Sequence, residues 1–518
     1  ASHQAMEVQS MPVTPRSGTP RVTPPISAPP SQLHSPSLTR SPLLGPATPR
    51  ASRLTPLASP IRKAIVSMRG YLEEVGHVTR LDPQDEWLPI TQSRNGNSYY
   101  SAFHTLSSGI GFQALVVPVA FTFLGWLWGI VLLSVGFCWQ LYTLWLLVEL
   151  HESVPGTRYS RYLHLAKDTF GEKLGKFMAL VPIIYLSAGT CSALIIVGGS
   201  TMKGFFQIVC GPTCRYMPLT TVEWYLVFVC LAVVLAQLPH LNSIAGVSLI
   251  GAVTAVTYCT MIWVISVRKG KIPNISYEAV DTSWDVARVL SILNAIGIIA
   301  FAFRGHNLVL EIQGTMPSTQ KHPARVPMWR GVKVAYVLIA FCLFPVALIG
   351  FWSYGNQIPP NGVLTALNQF HSHDTSRTIL GLTTLLVVIN CLSSFQIYAM
   401  PIFDNMEAGY TSKKNKPCPQ WLRSGFRAFF GAVAFLISSA FPFLPQLAGL
   451  IGAVALPVTF AYPCFMWIVI KKPERFGVMW WLNWCLGCLG MGLSVVLVVA
   501  GVWRLVETGV NISFFDPQ

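Results

Sequence analysis

The chain is 518 residues long, 52% of them apolar and only 11% charged, with a mean hydropathy of +0.50. Soluble domains carry about 25% charged residues, so this composition excludes an ordinary soluble protein and points to a polytopic membrane protein. Lysine and arginine outnumber aspartate and glutamate by 36 to 21. The basic residues sit in the N-terminal tail and short loops, a pattern of membrane orientation and not of a nucleic-acid surface.

Residues 1–62 are rich in Pro, Ser, Thr and Arg and cannot bury enough apolar surface to offset the entropy of ordering. They are expected to form a disordered tail. Eight Ser/Thr-Pro pairs fall there, at Thr14, Thr19, Thr23, Ser35, Ser41, Thr48, Thr55 and Ser59. The tail reads either as a platform for proline-directed kinases, losing its basic character on modification, or as a plain solvated segment. Residues 1–60 hold no apolar run of signal-peptide length, so the first span is expected to target the chain. Residues 63–98 read as an ordered lead-in packed beneath the membrane body, which occupies 99–506.

A spanning helix needs about 20 mainly apolar residues. Eleven windows qualify: 99–124, 126–149, 174–208, 220–238, 242–267, 285–315, 331–355, 377–408, 423–441, 444–470 and 480–506. The first two are separated only by Gly125, so length sets that split.

The short loops orient these spans. One set holds 17 basic residues, among them Arg158, Arg161, Lys321, Arg325, Lys413, Arg423 and Lys471; the other holds five, namely Arg215, Arg268, Lys269, Lys271 and Arg377. The positive-inside rule puts the first set and the N-terminal tail in the cytoplasm, and residues 507–518 outside. The glycosylation sequons at Asn274 and Asn511 fall on the outer side, as does the loop holding Cys210 and Cys214. That short pair reads either as a disulfide or as two free thiols. The remaining cysteines lie mostly in apolar runs and behave as small hydrophobes.

Two spans are interrupted. Span 1 loses its apolar run at Ser107, Ser108, Gly109, Ile110 and Gly111; span 6 loses its own at Ala302-Phe303-Arg304-Gly305-His306-Asn307. A charge at mid-membrane costs roughly 2.5–3.5 kcal/mol on insertion scales, so an arginine there must face protein or a water-filled cavity. Each broken span opens a five-span half, which points to a transporter of five-plus-five inverted repeats. Free N–H groups at a half-helix start suit a carboxylate, and free carbonyls at a half-helix end suit an ammonium. The competing reading of Ser107-Ser108-Gly109 is a small-residue packing face.

The stretches FAFRGHNLVLEIQGTMPST (301–319), PMWRGVKVAYVLIAFCLFPVAL (327–348), SSFQIYAMPIFDNMEAGY (393–410), LPVTFAYPCFMW (456–467) and LNSIAGVSLIGA (241–252) resemble the plant lysine/histidine-transporter-like permeases of the amino acid/auxin permease family. The resemblance covers most of residues 98–506. It implies an all-α fold of eleven spans like the bacterial leucine transporter, and proton-coupled amino acid import across the plasma membrane. No cofactor is implied, the proton gradient being the driving force. Two positions depart from the family. Its first-span pattern G-A-G-V-L-x-L-P has Gln113 here in place of the second glycine, and the usually small residue before Gly305 is Arg304. The resemblance therefore carries transport but not the family's usual substrates.

On this reading the substrate site is formed by Ser107, Ser108, Gly109, Ile110 and Gly111, by Ala302, Phe303, Arg304 and Gly305, and by Tyr185, Ser187, Asn390 and Ser393 from flanking spans. Arg304 reads either as a carboxylate receptor or as a structural cation capping carbonyls or paired to an acid. His306 and Glu311 are the proton-coupling candidates, each with a structural alternative: hydrogen bonds fixing the unwound segment for His306, and a pair with a loop cation or Arg304 for Glu311. Asp404, Glu407, Glu149 and Glu152 stand at span ends as gating partners of Arg/Lys or as solvated ends. No metal-ligand cluster, nucleophile elbow or phosphate loop is present, which argues against an enzyme. The remaining alternatives are a carrier of another organic acid, such as an auxin-like compound, and an amino-acid-sensing transceptor.

Overall fold

A computed structural model describes residues 87–211, 219–279, 285–305, 308–319, 321–442 and 448–508. The chain divides into two units, Ala1–Arg62 and Lys63–Gln518. The first unit, with its eight Ser/Thr-Pro candidates, lies outside the described residues, as do His306, Cys214 and Asn511. Cys210 is disulfide-bonded.

Every regular element among the described residues is helical. Helix α1 (Ser98–Gly109) is capped by Asn97, whose side chain accepts from the N–H groups of Tyr99 and Tyr100. Helix α2 (Phe112–Leu150) has 39 residues, about 58 Å at 1.5 Å per residue and nearly twice a bilayer core. It is kinked at Gly125, whose φ of 67° and ψ of −173° break the helical path. A Cβ would strain there, so the residue that separates the first two expected spans is the one that can turn.

A short α3 (Tyr162–Phe170) leads into α4 (Glu172–Cys210), followed by α5 (Thr221–Leu235), capped by a reciprocal Thr220–Glu223 box. Then come α6 (Ala245–Lys269), α7 (Asp285–Ala302), the six-residue α8 (Val309–Gly314), α9 (Arg325–Tyr354), α10 (Val363–His371) and α11 (Arg377–Lys414). The rest comprises α12 (Gln420–Ala440), α13 (Ala448–Leu456), α14 (Tyr462–Lys471) and α15 (Val478–Thr508). A wider turn over Pro457–Ala461 joins α13 to α14. Eight helical stretches among the described residues are long and apolar enough to cross a membrane, and Thr221–Leu235 is a shorter apolar helix.

The packing places the two interrupted spans at the centre. Helix α1 lies against α6, α9 and α11, while α7 lies against α2, α13 and α15. Close approach needs small residues. A Cβ on Gly251 of α6 would overlap Ser393 Oγ of α11 and stand 2.8 Å from Ser107 Oγ of α1. The lead-in before α1 is wedged into the bundle at one end. Leu88 and Ile90 are buried, Pro89 O accepts from Leu241 N–H at 3.1 Å, and Gly96 N–H donates to Thr315 O at 2.9 Å.

Candidate functional site

Helix α1 ends at Gly109; Ile110 is extended at φ −122°, ψ 128°, and α2 begins after Gly111 with no side-chain cap. The break therefore exposes two kinds of backbone group. The carbonyls closing α1 are taken up by side chains: Ser394 Oγ donates to Ser107 O at 3.2 Å, Tyr398 OH to Ser108 O at 2.6 Å, and Gln113 Nε2 to Gly109 O at 3.1 Å. The first-turn N–H groups of α2 receive no side-chain cap, and that of Ala114 donates to Gly111 O at 3.0 Å.

The second break follows the same logic. Helix α7 stops at Ala302, Arg304 N–H reaches back to Phe301 O at 3.4 Å, and Phe303 O accepts from Gln140 Nε2 at 2.8 Å. Gly305 has φ +109°, a conformation L side chains rarely adopt, and a Cβ there would stand 3.4 Å from Ser108 O. The two breaks thus meet face to face.

Arg304 occupies their junction and is 2% exposed. Its Nη2 donates to Gln113 Oε1 at 2.8 Å and its Nη1 to Thr190 Oγ1 at 3.4 Å, while its Nε has no hydrogen-bond partner. The guanidinium lies 4.7 Å from the ring centre of Phe112, 4.6 Å from Phe301 and 4.9 Å from Tyr398. None of the ion pairs among the described residues includes it. A desolvated cation–π contact is worth about 2 kcal/mol, whereas an unpaired buried ion costs several. The three rings offset part of that cost and leave a net positive centre.

Asn390 adds a neutral acceptor. Its Nδ2 donates to Gly251 O at 3.0 Å, which orients the amide, and its buried Oδ1 is unpartnered; a Cβ on Gly111 would stand 3.5 Å from it. Ser393 Oγ donates to Val247 O at 2.8 Å and meets Ser107 Oγ at 3.2 Å, tying α1, α6 and α11 together. Ser187 is buried with an unpartnered hydroxyl, three residues before Thr190. Tyr185 is half-buried, and its five-residue offset turns it about 140° around α4 from Thr190. His104, fully buried, contacts Ser248 Oγ through Nδ1 at 2.8 Å across the α1–α6 contact.

Glu311 is placed differently from either partner expected for it. Its Oε1 accepts from Tyr162 N–H at 3.3 Å and its Oε2 is unpartnered, with the side chain 6% exposed. Neither Arg304 nor a loop cation pairs with it. The nearby loop cation, Arg161, lines the same small cavity but is engaged by Asp404 at 2.5 Å.

All four acids expected at span ends are paired. Besides Arg161–Asp404, Arg423 meets Glu407 at 2.9 Å, Arg325 meets Glu149 at 2.6 Å and Arg158 meets Glu152 at 3.1 Å. The lead-in joins this layer: Ile90 N–H donates to Asp404 Oδ1 at 3.3 Å, Thr91 Oγ1 accepts from Arg161 at 3.2 Å, and Trp87 O accepts from Arg423 at 3.3 Å.

Phe112, Phe301, Gln140 and Tyr398 contribute to the site and went unread in the sequence. For Tyr398 a signal was there: Asn390, Ser394 and Tyr398 repeat every four residues along one helix face.

A helical membrane protein whose two interrupted helices meet at a buried polar centre has the architecture of a membrane transporter. A family model described as "Transmembrane amino acid transporter protein" matches residues 94–506, and the chain belongs to that family, a family of transporters and not of enzymes. The chain is 59% identical to lysine histidine transporter-like 8 of Arabidopsis thaliana over 99% of this chain and 98% of that protein. It is 48% identical to lysine histidine transporter-like 7 of the same plant over 84% and 90%, and 27% identical to its GABA transporter 1 over 79% and 91%. Two solved structures share the fold. One is a Na+-coupled sialic acid symporter, with a TM-score of 0.50 and 12% identity over 86% of this chain and 96% of that one. The other is a nucleobase-cation-symport-1 family transporter, with a TM-score of 0.51 and 10% identity over 84% and 98%.

Proposed function

We propose that the chain is a proton-coupled amino acid symporter of the plasma membrane, working by alternating access in a fold of eleven spans built as five-plus-five inverted repeats. The observation that carries this reading is the meeting of the two breaks, with Gly305 against Ser108 and Arg304 bound to Gln113. In it, the uncapped first turn of α2 and Arg304 receive the substrate carboxylate, and Asn390 Oδ1 receives its amino group. Glu311 carries the coupled proton: it is a buried carboxyl on the short second half of the sixth span, with one oxygen unpartnered. The Arg161–Asp404 pair and the lead-in close the cytoplasmic side and must separate for release. The tail is a substrate of proline-directed kinases.

Uptake of a labelled amino acid panel into liposomes holding the purified protein, with and without an inward proton gradient, tests this. Gradient-stimulated uptake is expected. Uptake indifferent to the gradient removes the coupling, and no amino acid uptake removes the function.

A further inference from the structure

We infer that the central site is built for a substrate of net negative charge, an amino acid carrying a second carboxylate, with Arg304 as its counter-charge. This rests on the transport reading and narrows its substrate class.

Three observations converge. First, Arg304 is the one formally charged side chain among the described residues bonded to either break, and no carboxylate pairs with it. A zwitterion entering this centre adds no net charge and leaves the arginine uncompensated; a monoanion neutralises it. A cationic amino acid places a second positive charge in the same buried volume.

Second, four carbonyls of the breaks are already taken while donors remain. Four carbonyls at the two breaks, those of Ser107, Ser108, Gly109 and Phe303, already accept from side chains. Asn390 Oδ1 is an unpartnered acceptor facing Gly111, enough for one amino group. On the donor side stand the first two N–H groups of α2, at Phe112 and Gln113 and without a side-chain cap, and the unpartnered Nε of a guanidinium that is 2% exposed. Two carboxylates can each find donors, one at the first turn of α2 and one at the arginine's free edge, whereas a single carboxylate must be shared between them.

Third, Arg304 is anchored to the same turn that offers those amides. It bonds Gln113 and stacks on Phe112, both in the first turn of α2. The charge and the helix N-terminus therefore lie side by side, with the Nε edge of the guanidinium left for a carboxylate contact.

The test compares shape-matched pairs in liposomes holding the full chain: glutamate against glutamine and aspartate against asparagine, with lysine as the cationic probe, at an external pH of about 6, where the acids remain ionised. Each acid is expected to enter at least tenfold more efficiently than its amide, and lysine least of all. Arg304→Gln is expected to abolish the preference. If that variant fails to fold, the wild-type acid-to-amide ratio decides by itself. Amide or lysine uptake equal to or above that of the acids overturns the anionic site and leaves transport standing. Uptake of a carboxylate lacking an amine, such as indole-3-acetate, with no amino acid uptake keeps the anionic site and overturns the amino acid reading. Uptake of none of these overturns both.

Discussion

Arg304 Nη2 donates to Gln113 Oε1 at 2.8 Å, and Gln113 Nε2 donates in turn to Gly109 O at 3.1 Å. One amide thus bridges the arginine of the second interruption to the carbonyl that ends α1. The two positions set apart from the first-span and sixth-span patterns that the resemblance implies are partners. An arginine before Gly305 needs an acceptor that a glycine at 113 could not supply.

Gln113→Leu therefore strands a buried guanidinium edge and frees Gly109 O. The loss should be about 1.5–3 kcal/mol, the range for a hydrogen bond to a charged group, read as a lowered unfolding temperature of the purified protein. Gln113→Glu should act in the other direction on function. A carboxylate 2.8 Å from the guanidinium supplies the missing counter-charge, so uptake of acidic substrates should drop at least tenfold while folding is retained. Undiminished acidic uptake in Gln113→Glu would count against charge selection at this centre.

Glu311→Gln keeps an acceptor for Tyr162 N–H but cannot bind and release a proton. Substrate exchange in the absence of a gradient should persist, while gradient-driven accumulation should be lost. Proton-driven accumulation at wild-type level in this variant would remove Glu311 from the coupling path.

Arg161 and Asp404 are both almost fully buried and lie 243 residues apart in sequence. Removing one member of a buried pair costs about 3–5 kcal/mol, whereas replacing both with apolar residues is often neutral. Arg161→Met alone and Asp404→Leu alone should each lower the melting temperature clearly, and the double variant should recover much of the loss. A double variant whose loss equals the sum of the two single losses would mean that the two act independently. Because Asp404 also accepts from Ile90 N–H, the single variants should also speed proteolysis of the lead-in.

His151 follows the last turn of α2 and is fully buried. Burial, reinforced by the charges of Arg158 and Arg94, holds its imidazole well below the usual 6.5. The unfolded chain therefore binds a proton that the folded chain refuses as pH falls below about 6.5. Its contribution to stability is complete above that pH and declines below it, by up to about 1.4 kcal/mol per pH unit. Melting temperatures of the wild type and His151→Gln between pH 7.5 and 5 should diverge in slope, the variant falling less steeply. Parallel slopes would show that His151 titrates alike in both states.

The interrupted spans were legible because their causes are local. Apolar runs of spanning length, Gly125 between the first two, and Gly305 at the second break all act through the backbone preferences of the residues themselves. The expected meeting of the breaks followed from their matching places in the chain. For Glu311, a proton-coupling candidate, the alternative pairing with Arg304 or a loop cation is not what the structure shows, for a physical reason. One helix ends at Ala302 and the next begins at Val309, so no continuous helix sets Glu311 relative to Arg304, and its Oε1 accepts from Tyr162 N–H.

What the chain determined by itself is where helices run, where they stop, and that an arginine stands in mid-span. Only the tertiary structure decided what that arginine meets. Gln113 lies 191 positions away, Thr190 lies 114 positions away, and Tyr398 stacks from a third helix. A helix apolar on every face carries no periodic signal for which side turns inward, so these partners depend on the rotation of each helix within the bundle. That rotation is set by side-chain packing between helices, such as the approach of Gly251 to Ser393 and Ser107, and not by the order of residues along any one of them.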